Sequence, residues 1–442
     1  MISPLAIPPL RDLQPGEDSP APLHEFLQQH GRNADSFQAG LSYHRRLYFP
    51  DWGLVAFRRV GRVTVVAGDP IAAPGRLVTL LSALQTVHRG PVALVSASAP
   101  VRDELAGAGW GWLKVGEEPY WDPARWSIDG RPAAKVRHAV GAARRRELRV
   151  TETTPMGPEW EADFTAMHEV AAAWSGSHAV HQLGFMLTLA PFEDFRQRRY
   201  FVAREPAGRM VAFLAAVPIW ARGGWYFQDF VRLPDAPNGV SELLFHEAML
   251  ALRRSGASLV TLGAAPLAGL EKEVPQRPWL NRLLGFAYDH LDSFYPFQSL
   301  SEYKAKYAPH WWEPKYLVFR PRGSGARVFG AVLRAYNGES VTRLVASRVV
   351  QTLREQLRRD PETGRWPAIE HVRRLPGRLV EHDLLVGAAL AIGIGAAFGD
   401  VAEHFRMLRG LDDVRVGALA SLFATSLTVA LLKARNRGEA HS

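Results

Sequence analysis

Two pairs of charged side chains are spaced for chemistry. Asp229 and Arg232 stand three residues apart at the end of Gly224-Trp-Tyr-Phe-Gln-Asp-Phe230, a run rich in β-formers that predicts a strand, and a strand end is where side chains can face a cleft. Lys304 and Lys306 stand two apart in Tyr303-Lys-Ala-Lys-Tyr307, where an extended segment would turn both to one side. Two such cations can hold a phosphate or stabilise an oxyanion. Each pair also has a structural reading: a fixed ion pair for the first, a solvated surface pair for the second. Asp292 and His290 precede Ser293-Phe-Tyr295 and add an acid and a proton carrier. Asn238-Gly239 stands just before a helix expected to begin near Ser241, which makes Asn238 a candidate N-cap.

The elements that must position these groups alternate between two periodicities. Gly53–Arg58 and Arg62–Pro70 read as strands, Leu77–His88 as a helix with Leu77, Leu80, Leu81 and Leu84 on one face, Val92–Ser96 as a strand and Val101–Ala108 as a helix. The pattern then repeats: a helix over Glu159–Trp174, strands over Arg199–Arg204, Met210–Val217 and Gly224–Phe230, a helix over Ser241–Ser255 and a strand over Leu259–Gly263. Strands alternating with helices predict an α/β protein built from two copies of one unit. Between the copies, Ala133–Val150 reads as a basic helix carrying Lys135, Arg137, His138, Arg144, Arg145, Arg146 and Arg149, its charges wrapped around it. A linker helix without a ligand and a phosphate-binding helix both fit this pattern.

Composition narrows the classes. With 442 residues, 47% hydrophobic and 10% aromatic, the chain is long enough for two or three domains and is not a disordered polymer. The absence of cysteine excludes disulfides, zinc–thiolate sites and cysteine nucleophiles, and no metal or cofactor is expected. The first eighteen residues carry four prolines and no apolar run behind a basic cluster, which is not the pattern of a signal peptide. Most of the net charge of +9 falls in Arg320–Val380, where thirteen arginines face five acids; a segment of this kind expects an anionic partner or is a solvated helix. Beyond it, Leu384–Gly399 and Val416–Leu432 are uncharged apolar runs of sixteen and seventeen residues, near the lower limit for a bilayer span. Arginines precede the first, Lys433, Arg435 and Arg437 follow the second, and the connector is nearly neutral. That is the charge order of a membrane hairpin with both ends in the cytoplasm; two packed helices are the other reading. The expected divisions are a proline-rich lead (1–22), a first unit with the basic linker helix (23–150), a second unit carrying the site (151–320), an arginine-rich helical segment (321–382) and two apolar helices (383–442).

The run Tyr226 to Gly239, the block Leu262-Gly-Ala-Ala-Pro-Leu-Ala-Gly-Leu270, and Tyr295-Pro-Phe-Gln-Ser-Leu300 followed by Tyr303-Lys-Ala-Lys-Tyr-Ala-Pro-His-Trp-Trp-Glu-Pro-Lys-Tyr-Leu317 together resemble the catalytic domain of the phosphatidylglycerol lysyl- and alanyltransferases, the multiple-peptide-resistance-factor family. The likeness runs from about Leu41 to Phe319. It implies a tandem duplicated GNAT-type N-acetyltransferase-like fold, here with a basic helical C-terminal extension. It also implies an enzyme that esterifies an aminoacyl group from aminoacyl-tRNA to a hydroxyl of a polar, anionic membrane lipid such as phosphatidylglycerol, at the cytoplasmic face of the cell membrane, a lipid modification linked to antimicrobial peptide resistance. On this reading Asp229 binds the donor's amino group or acts as base, Arg232 orients it or holds phosphate, and Lys304 and Lys306 serve phosphate or oxyanion. Asp235, Asn238, Gly239, Asp292 and Tyr303 line the substrate site, and Arg137 and Arg144 of the linker helix touch the tRNA acceptor end.

Departures from the family pattern carry expectations of their own. Its members place a multispan membrane domain ahead of the catalytic region, so a separate lipid flippase is an expected partner; an oligomer is also admitted. Trp174–Met186 keeps the family's Trp and Leu-Gly landmarks but has His178 and His181 where a Lys and a Glu often stand, which leaves the amino acid and the acceptor open. The alternative is an acyl-CoA-dependent N-acyltransferase acting on a small molecule. In such enzymes the loop before the helix binds pyrophosphate through backbone amides; here Pro234 and Pro237 remove amides and Asp235 adds a negative charge, which argues against CoA.

Overall fold

The structure is a computed structural model that describes residues 10–177, 185–270, 297–325, 327–332 and 334–336. The chain divides into two compact units, Met1–Val328 and Phe329–Ser442. The second lies almost wholly outside the described residues, and with it most of the arginine-rich segment and both apolar runs. Among the described residues no helix is long and apolar enough to cross a membrane.

The first unit is one mixed sheet. Its opening half contains β1 (Arg11–Leu13), α1 (Ala21–His30), α2 (Asp35–Ala39), β2 (Arg45–Phe49), β3 (Gly53–Val60), β4 (Val63–Ala67), β5 (Ile71–Ala72), α3 (Leu77–Val87), β6 (Val92–Ala97), α4 (Ala99–Gly107) and β7 (Gly111–Trp121). After the linker helix α5 (Ala134–Arg145) come β8 (Arg149–Thr153), α6 (Trp160–Ser177), β9 (Arg199–Arg204), β10 (Met210–Ile219), β11 (Gly224–Arg232), α7 (Val240–Arg254), β12 (Val260–Thr261), β13 (Ala265–Pro266), α8 (Phe297–Ala305) and β14 (Trp311–Arg320). The spatial order is β1-β2-β3-β4-β6-β14-β7-β12-β11-β10-β9-β8.

The order reads as a repeat. In each half an antiparallel meander leads through a helix to a parallel neighbour, β4 beside β6 and β11 beside β12. A further helix and a long antiparallel strand then close the half. This is the GNAT-type topology twice over, with the closing strands exchanged: β7 pairs with β12 of the second half and β14 with β6 of the first. The two exchanged strands also pair with each other along their length, which makes the middle of the sheet common property of both halves.

The apolar pattern explains the layers. β10 is buried at every position, and its side chains divide between two cores. Val211, Leu214 and Ala216 meet Leu244, Phe245 and Leu252 of α7, while Met210, Phe213 and Ala215 meet Trp160, Met167 and Val170 of α6. In the first half Leu77, Leu80, Leu81 and Leu84 of α3 cover Val55, Phe57, Val66 and Leu94.

The basic helix is shorter than its charge run. It ends at Arg145 with a Schellman closure in which Leu148 N–H bonds to Ala143 O and Glu147 N–H to Arg144 O, Glu147 adopting φ 57°. Arg149 and Val150 start β8 instead. Nor do its charges wrap all round: Val136, Val140 and Ala143 form a buried stripe against α7, leaving the basic residues to the exposed faces. Arg11–Leu13, part of the expected proline-rich lead, pairs with β2.

Candidate active site

β11 and β12 are paired over only two positions, Trp225 with Val260 and Tyr226 with Thr261. Beyond them β11 runs on to Arg232 without that neighbour, so a notch opens on one side of it. Gly263 forms the apex: a Cβ there would meet the Tyr226 ring and hydroxyl at 2.9 Å, and its φ of +74° also favours glycine. Within the notch the β10–β11 ladder skips from Ala215–Asp229 to Ala216–Phe227, which makes Gln228 the extra residue of a β-bulge. The bulge changes which way the strand's side chains point. Phe227 and Phe230 both pack on the α7 core, whereas Tyr226 and Val231 meet the cores on the other face.

Asp229 shares that other face and is buried at 7% exposure. Its Oδ2 lies 3.7 Å from Nη1 of Arg198, and neither atom has a hydrogen-bond partner among the described residues; nor does the Tyr43 hydroxyl, while the Gln228 amide lies beside the carboxyl and favours its ionised form. Arg198 is held in place by its other nitrogens, which donate to Glu193 O and Ala190 O, and by Phe37 beneath its guanidinium. Burial pushes the Asp229 carboxyl up to about 6, with Arg198 acting against the shift. Burial and the Asp229 charge likewise raise the Tyr43 phenol.

Lys304, in α8, reaches the Gly263 turn. It is buried and donates to Gly263 O at 2.8 Å and Ala264 O at 2.6 Å. Burial brings its ammonium down to about 8, opposed by the charges of Glu118 and Asp35. Glu118, on β7, accepts from Thr261 Oγ1 at 2.8 Å and meets Lys315 Nζ of β14 at 2.5 Å. Thr261 Oγ1 in turn accepts from Gly263 N–H at 2.9 Å. Asp35, at the start of α2, is pushed up to about 7, chiefly by burial, with Lys315 opposing and Glu118 and Asp69 reinforcing.

The expectation that Lys304 and Lys306 face one way is overturned. Tyr303 and Lys304 lie in α8, not in an extended segment, so side chains two apart diverge. Lys306 points instead to Glu242 of α7 at 2.5 Å and over the Tyr303 ring, 3.8 Å from its centroid. Arg232, exposed at the end of β11, acts on the same Tyr303 phenol. The four residues therefore do not form one cluster: Asp229 faces Arg198, Lys304 is bound to the Gly263 turn, and Arg232 and Lys306 both act on Tyr303.

The loop before α7 also differs from its expected arrangement. Asn238 is exposed and caps nothing; Gly239 is the N-cap residue, at φ 90° with no side-chain bond. A Cβ on Gly239 would come within 2.3 Å of Ala139 O, so glycine here lets α5 pack against α7. Asp235 is bound to Arg209 through both oxygens at 3.0 and 2.8 Å. Arg137 donates to Ile128 O and Gly130 O, and Arg144 pairs with Glu247 of α7 at 2.9 Å. Both arginines keep exposed surface while bracing the helix. Asp292, His290, His178 and His181 lie outside the described residues, among which no group of acids and histidines is arranged to hold a metal.

Sequence reasoning passed over Gln228, Arg198, Tyr43, Asp35, Glu118 and Lys315. Gln228 and Lys315 sit inside the quoted motif blocks, and that was their only local signal; the others come together through pairing over long sequence distances.

With the geometry in view, comparison with known proteins is specific. Residues 24–319 match the family model described as phosphatidylglycerol lysyltransferase, C-terminal. The chain is 26% identical over 311 residues to the phosphatidylglycerol lysyltransferase of Bacillus subtilis, covering 69% of this chain and 35% of that protein. It is 25% identical over 321 residues to the lysylphosphatidylglycerol biosynthesis bifunctional protein LysX of Mycolicibacterium gilvum, covering 69% and 28%. The chain thus spans about a third of the length of these curated relatives. Among solved structures, L-PGS from Bacillus licheniformis superposes with a TM-score of 0.61 at 25% identity, over 72% of this chain and 97% of that one.

Proposed function

We propose a function from one fact: the chain belongs to the phosphatidylglycerol lysyltransferase C-terminal family. On this reading it transfers an aminoacyl group from aminoacyl-tRNA to a hydroxyl of a polar membrane lipid such as phosphatidylglycerol. The observation that carries the reading is the buried, orphaned Oδ2 of Asp229 beside an orphaned Arg198 Nη1. Buried polar groups without partners are rare in a finished structure, and here they border a notch in a strand that the family motif marks.

The chemistry is an ester exchange. The lipid hydroxyl attacks the aminoacyl carbonyl carbon, its proton passes to the Asp229 carboxylate, and the carbonyl oxygen becomes an oxyanion. Collapse breaks the bond to the tRNA ribose oxygen, which takes the proton back. A base titrating near 6 is half-way suited to both roles around neutrality. Lys304 spends two of its three N–H donors on Gly263 O and Ala264 O and has a third for the oxyanion. On this reading Arg232 and Lys306, which gather at Tyr303, hold phosphate rather than touch the reacting carbon. Exposed Lys135, His138 and Arg145 on α5 and Arg146 at its C-cap suit the tRNA backbone, giving affinity without sequence reading.

A CoA donor fits less well. Its pyrophosphate would need the start of α7, where Ala139 O crowds Gly239 and Asp235 brings negative charge. Within the wider proposal, the arginine-rich segment and apolar runs hold the enzyme at the cytoplasmic face of the membrane, and a separate flippase moves the product. Lipid mass spectrometry of cells with and without the protein tests the function: an aminoacyl mass increment on a polar lipid should appear with it, and identical lipid profiles would reject the reading.

A further inference from the structure

The two exchanged strands meet at a buried ion pair, Glu118 of β7 with Lys315 of β14, and that pair touches the notch through a chain of short contacts. Lys315 Nζ is 2.5 Å from Glu118 Oε2; Thr261 Oγ1 donates to Glu118 Oε1 at 2.8 Å; Gly263 N–H donates to Thr261 Oγ1 at 2.9 Å; and Gly263 O accepts from Lys304 Nζ at 2.8 Å. Glu118 is 1% and Lys315 2% exposed. We infer that Glu118, held by Lys315, is a positioning residue that fixes the Thr261–Gly263 turn and thereby the Lys304 ammonium at the notch. This rests on the transferase reading given above.

Three observations make the inference more than a list of contacts. First, Thr261 has one hydroxyl proton, and giving it to Glu118 leaves its lone pairs to receive Gly263 N–H, so the charge on Glu118 sets the direction of the whole chain. Second, Tyr226 stands so close to Gly263 that a β-carbon there would lie 2.9 Å from its ring, which limits the room on that side of the turn, and Gly263 carries both the N–H bound to Thr261 and the carbonyl that holds Lys304. Third, Glu118 comes from the first half of the sequence yet sits on β7 beside β12 of the half that carries Asp229, and Lys315 meets it from β14, the strand exchanged the other way. The first half then serves the second half's site directly. The charged groups acting on Lys304 are Glu118 from β7 and Asp35 from α2; Asp35, titrating near 7, can supply only part of a negative charge at neutrality.

The test compares E118Q and T261V with the wild-type chain. E118Q keeps an acceptor for Thr261 but removes the charge; T261V breaks the relay and leaves the ion pair intact. Two measurements are made: steady-state transfer against pH, and competitive acylation of lysines against pH, read residue by residue by mass spectrometry. Both variants should lower kcat by about 10²-fold with the lipid KM little changed, as small misplacements do. In E118Q the alkaline limb of the rate, and the pH at which Lys304 becomes reactive, should both move down by about one unit. Variants that are only less thermostable, with kcat and Lys304 reactivity unchanged, would overturn the inference. An inactive wild-type chain would reject the transferase reading, and the acylation arm would still decide whether Glu118 governs Lys304.

Discussion

Asp229 Oδ2 and Arg198 Nη1 face each other at 3.7 Å, too far for a hydrogen bond and too close to be independent. Both are sealed from water without partners among the described residues. A carboxylate so placed is costly when ionised, because burial outweighs the single cation beside it.

That cost has a stability signature. The folded protein binds the Asp229 proton more tightly than the unfolded chain, with a value near 6 against 3.8. Ionisation therefore costs nothing below the unfolded value, and the penalty grows as pH rises toward 6 and is constant above it. Asp229→Asn mimics the neutral acid, so its stability relative to wild type should rise across this window by up to about 3 kcal/mol. Denaturant unfolding at pH 4 and pH 7 checks this; a variant equally destabilised at both would contradict the burial argument.

The same two groups predict a bell-shaped pH dependence. Activity should climb as Asp229 ionises near 6 and fall as Lys304 loses its proton near 8. In Lys304→Met the rate should drop by about 10²- to 10³-fold and the alkaline limb should vanish. A profile flat from pH 5 to 9 would remove both residues from the chemistry.

Gly239→Ala should destabilise the protein by at least about 1–2 kcal/mol, the penalty of a left-handed residue with a β-carbon. The approach of Ala139 O to 2.3 Å adds to it. Unfolding midpoints report the loss, and a neutral effect would show that α5 does not press on α7 as described.

Asp235→Ala should leave both stability and kcat/KM unchanged. Its only described ion-pair partner is Arg209, and both side chains are open to solvent, where such pairs contribute little. A large fall in kcat/KM would support the substrate-site role expected for Asp235 from the sequence.

Alternating apolar periods made the two α/β copies legible, because a half-buried strand and a one-faced helix leave different spacings in the chain. The two long strands of the seam escaped that logic. β7 and β14 find their partners about 200 residues away, and nothing local announces an exchange. Tyr303-Lys-Ala-Lys-Tyr307 alternates like a strand yet enters a helix, since Tyr303 and Tyr307 fall four apart on one face, where Tyr307 stacks on Phe245 at 4.2 Å. At the site, Asp229 and Lys304 were visible as motif residues. Their neighbours were not: the bulge at Gln228 depends on the ladder beside it, and Arg198, Tyr43 and Glu118 arrive from other strands and loops.

Transfer from charged tRNA to lipid is the central claim, and reconstitution measures it directly. The purified full chain is mixed with aminoacyl-tRNA and vesicles containing phosphatidylglycerol, and the lipids are read by mass spectrometry, with ribonuclease-treated and Asp229→Asn reactions alongside. The account predicts an aminoacylated lipid in the first reaction, none after ribonuclease, and about 10²- to 10⁴-fold less with the variant. Lipid product that survives ribonuclease, or full activity without the Asp229 carboxylate, would contradict it.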